Sequence, residues 1–238
     1  MVGIGTIINT FAVILGGILG YVFQRLIPTK IQNTVLKAIG LGVIFIGISG
    51  TLSKMLIISN NHISTTGEIM LIISLSLGTI IGELLDIDQK FINFGNFLQS
   101  KFSKTNNSKF SEGFILSSLT VCVGAMAIVG SLQDGLNQDP SILITKSLID
   151  FIVVLLFATT YGIGCSFAAL PIFVFEGGIT LLAVFIKPLM TTKMLNAISL
   201  VGNSLIVLIG VNMLLNQKIK VSNMLPALLI TVIYIVLT

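Results

Sequence analysis

Charge is what this sequence has least of. Asp, Glu, Lys and Arg make up 9% of its 238 residues, where a soluble domain carries about 25%. That shortfall excludes an ordinary water-soluble fold. The chain is 54% hydrophobic with a mean hydropathy of +1.06. Most of it divides into apolar stretches of the roughly 20 residues that a helix needs to cross a bilayer. The short connections between them leave no room for a soluble catalytic domain.

Metal and nucleophile chemistry are scarce as well. The single histidine, His62, stands in a short polar loop among Asn60, Asn61 and Ser64, where solvation accounts for it. Cys122 and Cys165 fall inside apolar segments without metal-ligand spacing and read as small buried hydrophobes. No Gly-rich loop ends in Gly-Lys-Ser/Thr, and neither His-Glu-x-x-His nor Gly-x-Ser-x-Gly occurs. One histidine cannot complete a Ser or Cys triad, and Asp150 has no evident mate for an aspartyl protease. The chain is expected not to be an enzyme and to need no cofactor or metal. Its formal charge of +4 does not imply a nucleic-acid partner, because Lys90, Lys101, Lys104 and Lys109 share one connection that membrane topology explains. The N-terminus lacks a basic leader, and its apolar run from Gly3 to Gln24 is too long for a signal peptide's core.

What is present is an all-α polytopic membrane pattern. We expect eight spans, at about 3–24, 33–56, 67–85, 111–133, 141–166, 168–187, 196–215 and 223–238. In the interval 86–110, Ile87, Phe91, Phe94, Phe97, Leu98 and Phe102 recur at three- and four-residue spacing with lysines between them. That pattern predicts an amphipathic helix in the headgroup region, or one that meets a partner helix. Cytoplasmic loops collect Lys and Arg. With both termini outside, the inner side receives Arg25, Lys30, Lys37, Lys90, Lys101, Lys104, Lys109, Lys218 and Lys220. Lys54, Lys146, Lys187 and Lys193 fall outside, together with the acidic turn from Asp134 to Asp139. In a bacterium, the membrane would be the plasma (inner) membrane.

The chain also echoes itself. Ala12-Val-Ile-Leu-Gly-Gly-Ile18 is similar to Phe173-Val-Phe-Glu-Gly-Gly-Ile179, and Leu36-Lys-Ala-Ile-Gly-Leu41 to Leu195-Asn-Ala-Ile-Ser-Leu200. Spans one to three (1–85) and six to eight (168–238) would then be two copies, separated by the 86–110 segment and the central spans 111–166. Copies displaced by five crossings run in opposite directions, the inverted repeat found in many secondary transporters. The paired glycines Gly16-Gly17 and Gly177-Gly178 are expected either to break spans one and six and point freed backbone groups at a solute, or to serve as helix contacts.

Ionisable groups at bilayer depth cost about 2.5–3.5 kcal/mol each on insertion scales, so each needs a reason. Glu176 lies near the centre of its span as a coupling or charge-recognition carboxylate, or as interhelical glue. Lys146 and Asp150 are one turn apart on the same face of span five. Asp139-Pro140 reads as that span's start, which puts Asp150 on the order of 16 Å along the helix. The pair is a gate lining a pathway or a purely structural ion pair. Among uncharged polar groups, Asn9 in span one and Asn203 with Ser204 in span seven are candidate ligands. Gln133, Thr159, Thr160 and Tyr161 complete the set.

Four strings together carry a family resemblance. They are Gly5-Thr-Ile-Ile-Asn-Thr10, Gly82-Glu-Leu-Leu-Asp-Ile87, Lys146-Ser-Leu-Ile-Asp150 and the long run Cys122-Val-Gly-Ala-Met-Ala-Ile-Val-Gly-Ser-Leu-Gln-Asp-Gly135. Over essentially its whole length the chain resembles the bacterial domain-of-unknown-function family numbered 554. The resemblance implies a multi-spanning membrane protein of a group often labelled possible transporters. Phe175-Glu-Gly177 stands where the family pattern leads one to expect a Tyr-Gln-Gly type string, so a carboxylate at 176 is not general to the group.

These features together point to a secondary transporter or channel-like protein, homo-oligomeric, with the lipid bilayer and a small solute or ion as partners. The binding region is expected among Asn9, Gly16, Gly17, Asp150, Glu176, Gly177, Gly178 and Asn203. The alternative is a non-transporting scaffold or sensor acting through residues 86–110.

Overall fold

The computed structural model describes residues 2–24, 26, 28–59, 62–102, 109–122, 125–215, 217 and 219–237. The chain is helical nearly throughout. In order come α1 (Ile4–Gln24), α2 (Thr29–Met55), a β-hairpin of β1 (Leu56–Ser59) and β2 (His62–Thr65), α3 (Glu68–Leu85), α4 (Ile87–Phe102), α5 (Lys109–Cys122) and α6 (Ala125–Asn137). Then follow α7 (Ser141–Tyr161), a 3-10 segment Gly162–Ala168, α8 (Ala169–Leu181), α9 (Ala183–Ile186), a 3-10 turn Lys187–Leu189, α10 (Thr192–Leu215), a 3-10 turn Val221–Met224 and α11 (Pro226–Leu237).

Among the described residues five helical segments are long and apolar enough to cross a membrane, or six if the bent pair α5–α6 counts as one span. One of the five, Ser141–Leu181, is 41 residues long, which as a single helix would reach about 60 Å, twice the bilayer core. It folds back instead. α7 ends where Gly162 takes φ 82°, a left-handed value open to glycine at no steric cost, and the 3-10 segment turns the chain into α8. The polar groups lie inside and the apolar ones outside: Asn9, Asp134 and Asn223 are 0% exposed, while Leu84 is 81% exposed and Val174 71%. This is the distribution of a polytopic helical membrane protein in lipid.

The chain forms two compact units. The first holds residues 1–37, 90–122 and 126–188. Its centre is α1, whose buried face Thr6, Asn9, Val13, Gly16, Gly17 and Gly20 follows three- and four-residue spacing. Along that face α1 runs parallel to α7. A methyl group on Gly5 would come within 2.8 Å of Leu143, one on Gly16 within 2.6 Å of the Phe151 carbonyl oxygen, and one on Gly20 within 2.7 Å of Ala158. Against α8 it runs antiparallel, with Thr6 facing Thr180, Asn9 facing Glu176, and Gly17 facing Ser166 at the entrance of α8. Further from the axis, Leu98 of α4 packs with Phe110 and Phe114 of α5. Asn96 accepts a 2.6 Å hydrogen bond from Ser111.

The second unit holds residues 38–89, 123–125 and 189–238. Here α2 runs antiparallel to α10, Gly40 lying against Met213, Gly47 against Val207 and Gly50 against Asn203. α3 runs antiparallel to α11 and its preceding 3-10 turn, Gly78 against Ala227 and Gly82 against Asn223. Met70, Ala197, Leu200, Val201 and Ala227 form the core.

The broken-helix expectation at the paired glycines is overturned. α1 is continuous through Gly16-Gly17 and α8 through Gly177-Gly178. The first pair serves close backbone approach, the dominant use of small residues where lipid supplies no hydrophobic drive between helices. Gly177 has only Thr6 at 3.8 Å, and Gly178 has nothing within 4 Å. Gly17→Val is therefore expected to destabilise by about 1–3 kcal/mol through overpacking, while Gly178→Ala leaves stability unchanged. Thermal melting of the two variants in detergent checks the contrast.

The break that does occur lies elsewhere. α5 and α6 are inclined at 63° to each other, and residues 123 and 124 lie outside the described ones. The β-hairpin was likewise not expected. Leu56 pairs with Thr65 and Ser59 with His62, where the sequence read a plain polar loop.

Candidate functional site

The first unit brings four of the residues singled out in the sequence into one cluster. Asn9 comes from the buried face of α1. Lys146 and Asp150 come from α7, whose buried positions Leu143, Lys146, Ser147, Asp150 and Val154 keep helical spacing. Glu176 comes from α8, between the buried Ile172 and Thr180 at i−4 and i+4. All are shut away from solvent, with Asn9 at 0%, Glu176 at 1%, and Lys146 and Asp150 each at 5% exposure.

Asn9 is the bridge. Its Nδ2 donates to Asp150 Oδ2 at 3.0 Å and to Glu176 Oε1 at 2.9 Å, using both amide protons and tying α1 to α7 and α8. Lys146 is the counter-charge. Its ammonium pairs closely with Asp150 Oδ2, stands 3.3 Å from Glu176 Oε1 and donates to the Val121 carbonyl at 2.8 Å. Three donors thus meet three acceptors. Val121 belongs to α5, so the ammonium also reaches a third helix.

Two acceptors are left over. Asn9 Oδ1 and Glu176 Oε2 are buried and have no hydrogen-bond partner. One turn from the cluster, the Thr6 and Thr180 hydroxyls stand 3.4 Å apart. A further carboxylate closes this end of the unit: Asp134 of α6, fully buried, accepts from the Gly5 backbone N–H at 2.9 Å in the first turn of α1. A carboxylate there satisfies an orphan donor and complements the positive end of the helix. Asp134 is therefore no part of a solvated acidic turn, which corrects the sequence reading. Asp139 is, and its Oδ1 accepts from the Ser141 backbone N–H at 3.0 Å. The helix starts at Ser141, one residue later than Pro140 suggested.

Other expected residues stand apart from the cluster. Asn203 belongs to the second unit, against Gly50. Ser204 shares a 3.4 Å contact with Thr51 in that unit. Gln133 donates to Asp139, and Thr159 bonds its own helix at Leu156. The Thr160 carbonyl accepts from Gln24 at 2.9 Å, at the far end of α1 and α7. Sequence reasoning missed Val121, Asp134, Thr6 and Thr180. Among the described residues no group of three or more His, Cys, Asp or Glu is placed to hold a metal ion.

Removing the bridge has a definite expected cost. Asn9→Ala leaves each carboxylate one donor short in a dry site and is expected to cost about 1–3 kcal/mol. A denaturation series in detergent reads it. An unchanged midpoint would mean that the amide does not join the three helices.

The comparisons with known proteins follow the same boundaries. The family model "Protein of unknown function (DUF554)" matches residues 4–236. The chain belongs to the DUF554 family. It is 32% identical over 226 residues, 95% of this chain and 93% of the relative, to "Uncharacterized membrane protein YdfK" of Bacillus subtilis (strain 168). It is 29% identical over 232 residues, 95% of this chain and 94% of the relative, to "Uncharacterized protein YqgA" of Escherichia coli (strain K12). No solved structure matches the chain. All four family strings read in the sequence fall inside the match, and two of them supply cluster residues: Asn9, and the Lys146–Asp150 pair.

Proposed function

We propose that this DUF554 protein is a secondary transporter or channel-like protein that moves a small solute or ion across the bacterial plasma membrane. The observation that carries the reading is the Asn9–Lys146–Asp150–Glu176 cluster. Three ionisable groups and an amide, held by three apolar helices, are gathered where each is costly and where a hydrophobic core would do as well or better for stability. Intramembrane ionisable clusters of this kind mark substrate and ion pathways.

The sequence echo, read as an inverted repeat, supports the same conclusion. Within the first unit α1 lies antiparallel to α8, and within the second α2 lies antiparallel to α10 and α3 to α11. Each pair joins corresponding members of the two sequence copies, and opposite direction is what an inverted repeat calls for. The cluster sits where α1 meets α8, at the junction of the copies. Lys146, a buried pair member and not a loop residue, drops out of the topological tally. Nine inner cations against three outer ones then favour both termini outside. On this reading the chain is a homo-oligomer without a catalytic site.

A thermal-shift screen of the detergent-purified protein against ions, amino acids, organic acids and metals, at two pH values, tests the proposal. A ligand at 100 times its dissociation constant stabilises by about 2.7 kcal/mol. The expected result is a hit that Asn9→Ala and Glu176→Gln abolish. No hit, or one that both variants keep, would count against it. The scaffold reading draws on one observation, the exposure of Phe94 and Phe97 on α4, with Lys101 5.0 Å from the Phe97 ring. Deleting 86–110 separates the two, since a scaffold fails outright and a carrier keeps its ligand shift.

A further inference from the structure

The cluster is one positive charge short. Asp150 and Glu176 bring two carboxylates and Lys146 a single ammonium, all at 5% exposure or less. An uncompensated charge in so dry a site costs several kcal/mol, so something with charge +1 belongs there. The hydrogen bonds indicate where. Asp150 Oδ2 receives both the close Lys146 ammonium and the Asn9 amide. Glu176 shares the same ammonium at 3.3 Å, and its Oε2 has no partner at all.

We infer that the missing charge is one exchangeable proton carried on Oε2 of Glu176. The inference rests on the transport reading for the proton's role as coupling ion, though not for its presence. A proton needs no ligand shell. A metal ion at the same oxygen would need several oxygen ligands, and it would crowd the Lys146 ammonium already bound to that carboxylate. The charged and titratable groups facing Glu176 are few. α7 contributes Lys146 and Asp150, α5 contributes Cys122, and α1 contributes the neutral amide of Asn9. Asp134 of α6 is committed to the Gly5 N–H.

The same bonds say what losing the proton does. An ionised Glu176 competes with the Val121 carbonyl for Lys146. The ammonium is then drawn toward α8, and the Val121 carbonyl of α5 loses its donor. Proton release on α8 and the tie between α7 and α5 are thereby linked through one side chain.

Infrared difference spectroscopy on the full-length protein, recorded across a pH step, tests the assignment. Wild type is expected to show the carbonyl stretch of a protonated carboxyl group near neutral pH. Glu176→Gln should remove that band entirely, and carbon-13 labelling of glutamate carboxyls should shift it where labelling of aspartate carboxyls leaves it in place. Melting of wild type in sodium against choline chloride should show no shift, a readout independent of whether the variant folds. A band that persists in Glu176→Gln, or a melting shift specific to sodium, would overturn the assignment. The band reports the proton whether or not a solute is carried. A protein with the band but without ligand shift or flux would therefore refute transport alone.

Discussion

Glu176→Gln is expected to abolish solute- or ion-driven current while leaving the melting temperature unchanged or slightly higher. The amide keeps an oxygen where Asn9 Nδ2 donates at 2.9 Å and where Lys146 stands at 3.3 Å. It also removes the second negative charge, so that Lys146 and Asp150 balance. Nothing in the packing of Ile172, residue 176 and Thr180 along α8 has to move. Glutamine cannot release a proton or exchange a cation, and function should fall at least tenfold, about 1.4 kcal/mol. A side chain that serves only as interhelical glue would behave in the opposite way, since glutamine would keep both fold and function. Current from reconstituted vesicles and melting of the same preparation separate the two.

Lys146→Met is expected to be the most damaging single substitution in the first unit. It leaves two buried carboxylates facing each other across Asn9, and it strips the Val121 carbonyl of its donor at the α5–α6 bend. Breaking a buried ion pair from one side costs about 3–5 kcal/mol, whereas removing all its charges together is often neutral or stabilising. The combination Lys146→Met, Asp150→Asn and Glu176→Gln should therefore recover most of the loss while remaining inactive. Chemical denaturation of the single and triple variants checks this. If the triple variant is no more stable than the single one, charge imbalance is not what the substitution exposes.

The fold was legible in the sequence to the extent that run length decides it. The apolar stretches gave α1 and α3 nearly to the residue, whereas α7 ends five residues before the expected bound and α10 starts four before it; Asp139-Pro140 marked the start of α7. The candidate site was legible because charge at bilayer depth is costly. Asn9, Lys146, Asp150 and Glu176 could each be picked out singly, and the i,i+4 spacing put two of them on one face. Their convergence could not be read. It depends on α7 and α8 flanking α1 in opposite directions, which follows from the reversal at Gly162. The glycine pairs misled because close packing and helix breaking use the same residue, and only the neighbours, Phe151 and Ser166, decide between them. The β-hairpin was hidden because Leu56 and Ile57 continue the apolar run of α2. Asp134 looked solvated because its partner is a backbone N–H at the start of α1, 129 positions away.

The measurement that bears most directly on the account is current on a solid-supported membrane carrying the reconstituted protein. The ligand giving the largest melting shift is applied as a rapid concentration jump. Wild type should give a current that reverses with the gradient, with none from Glu176→Gln in vesicles holding equal amounts of folded protein. Equal currents from the two would remove Glu176 from the pathway. No current and no uptake of labelled ligand by wild type, with a ligand that demonstrably binds, would contradict transport itself.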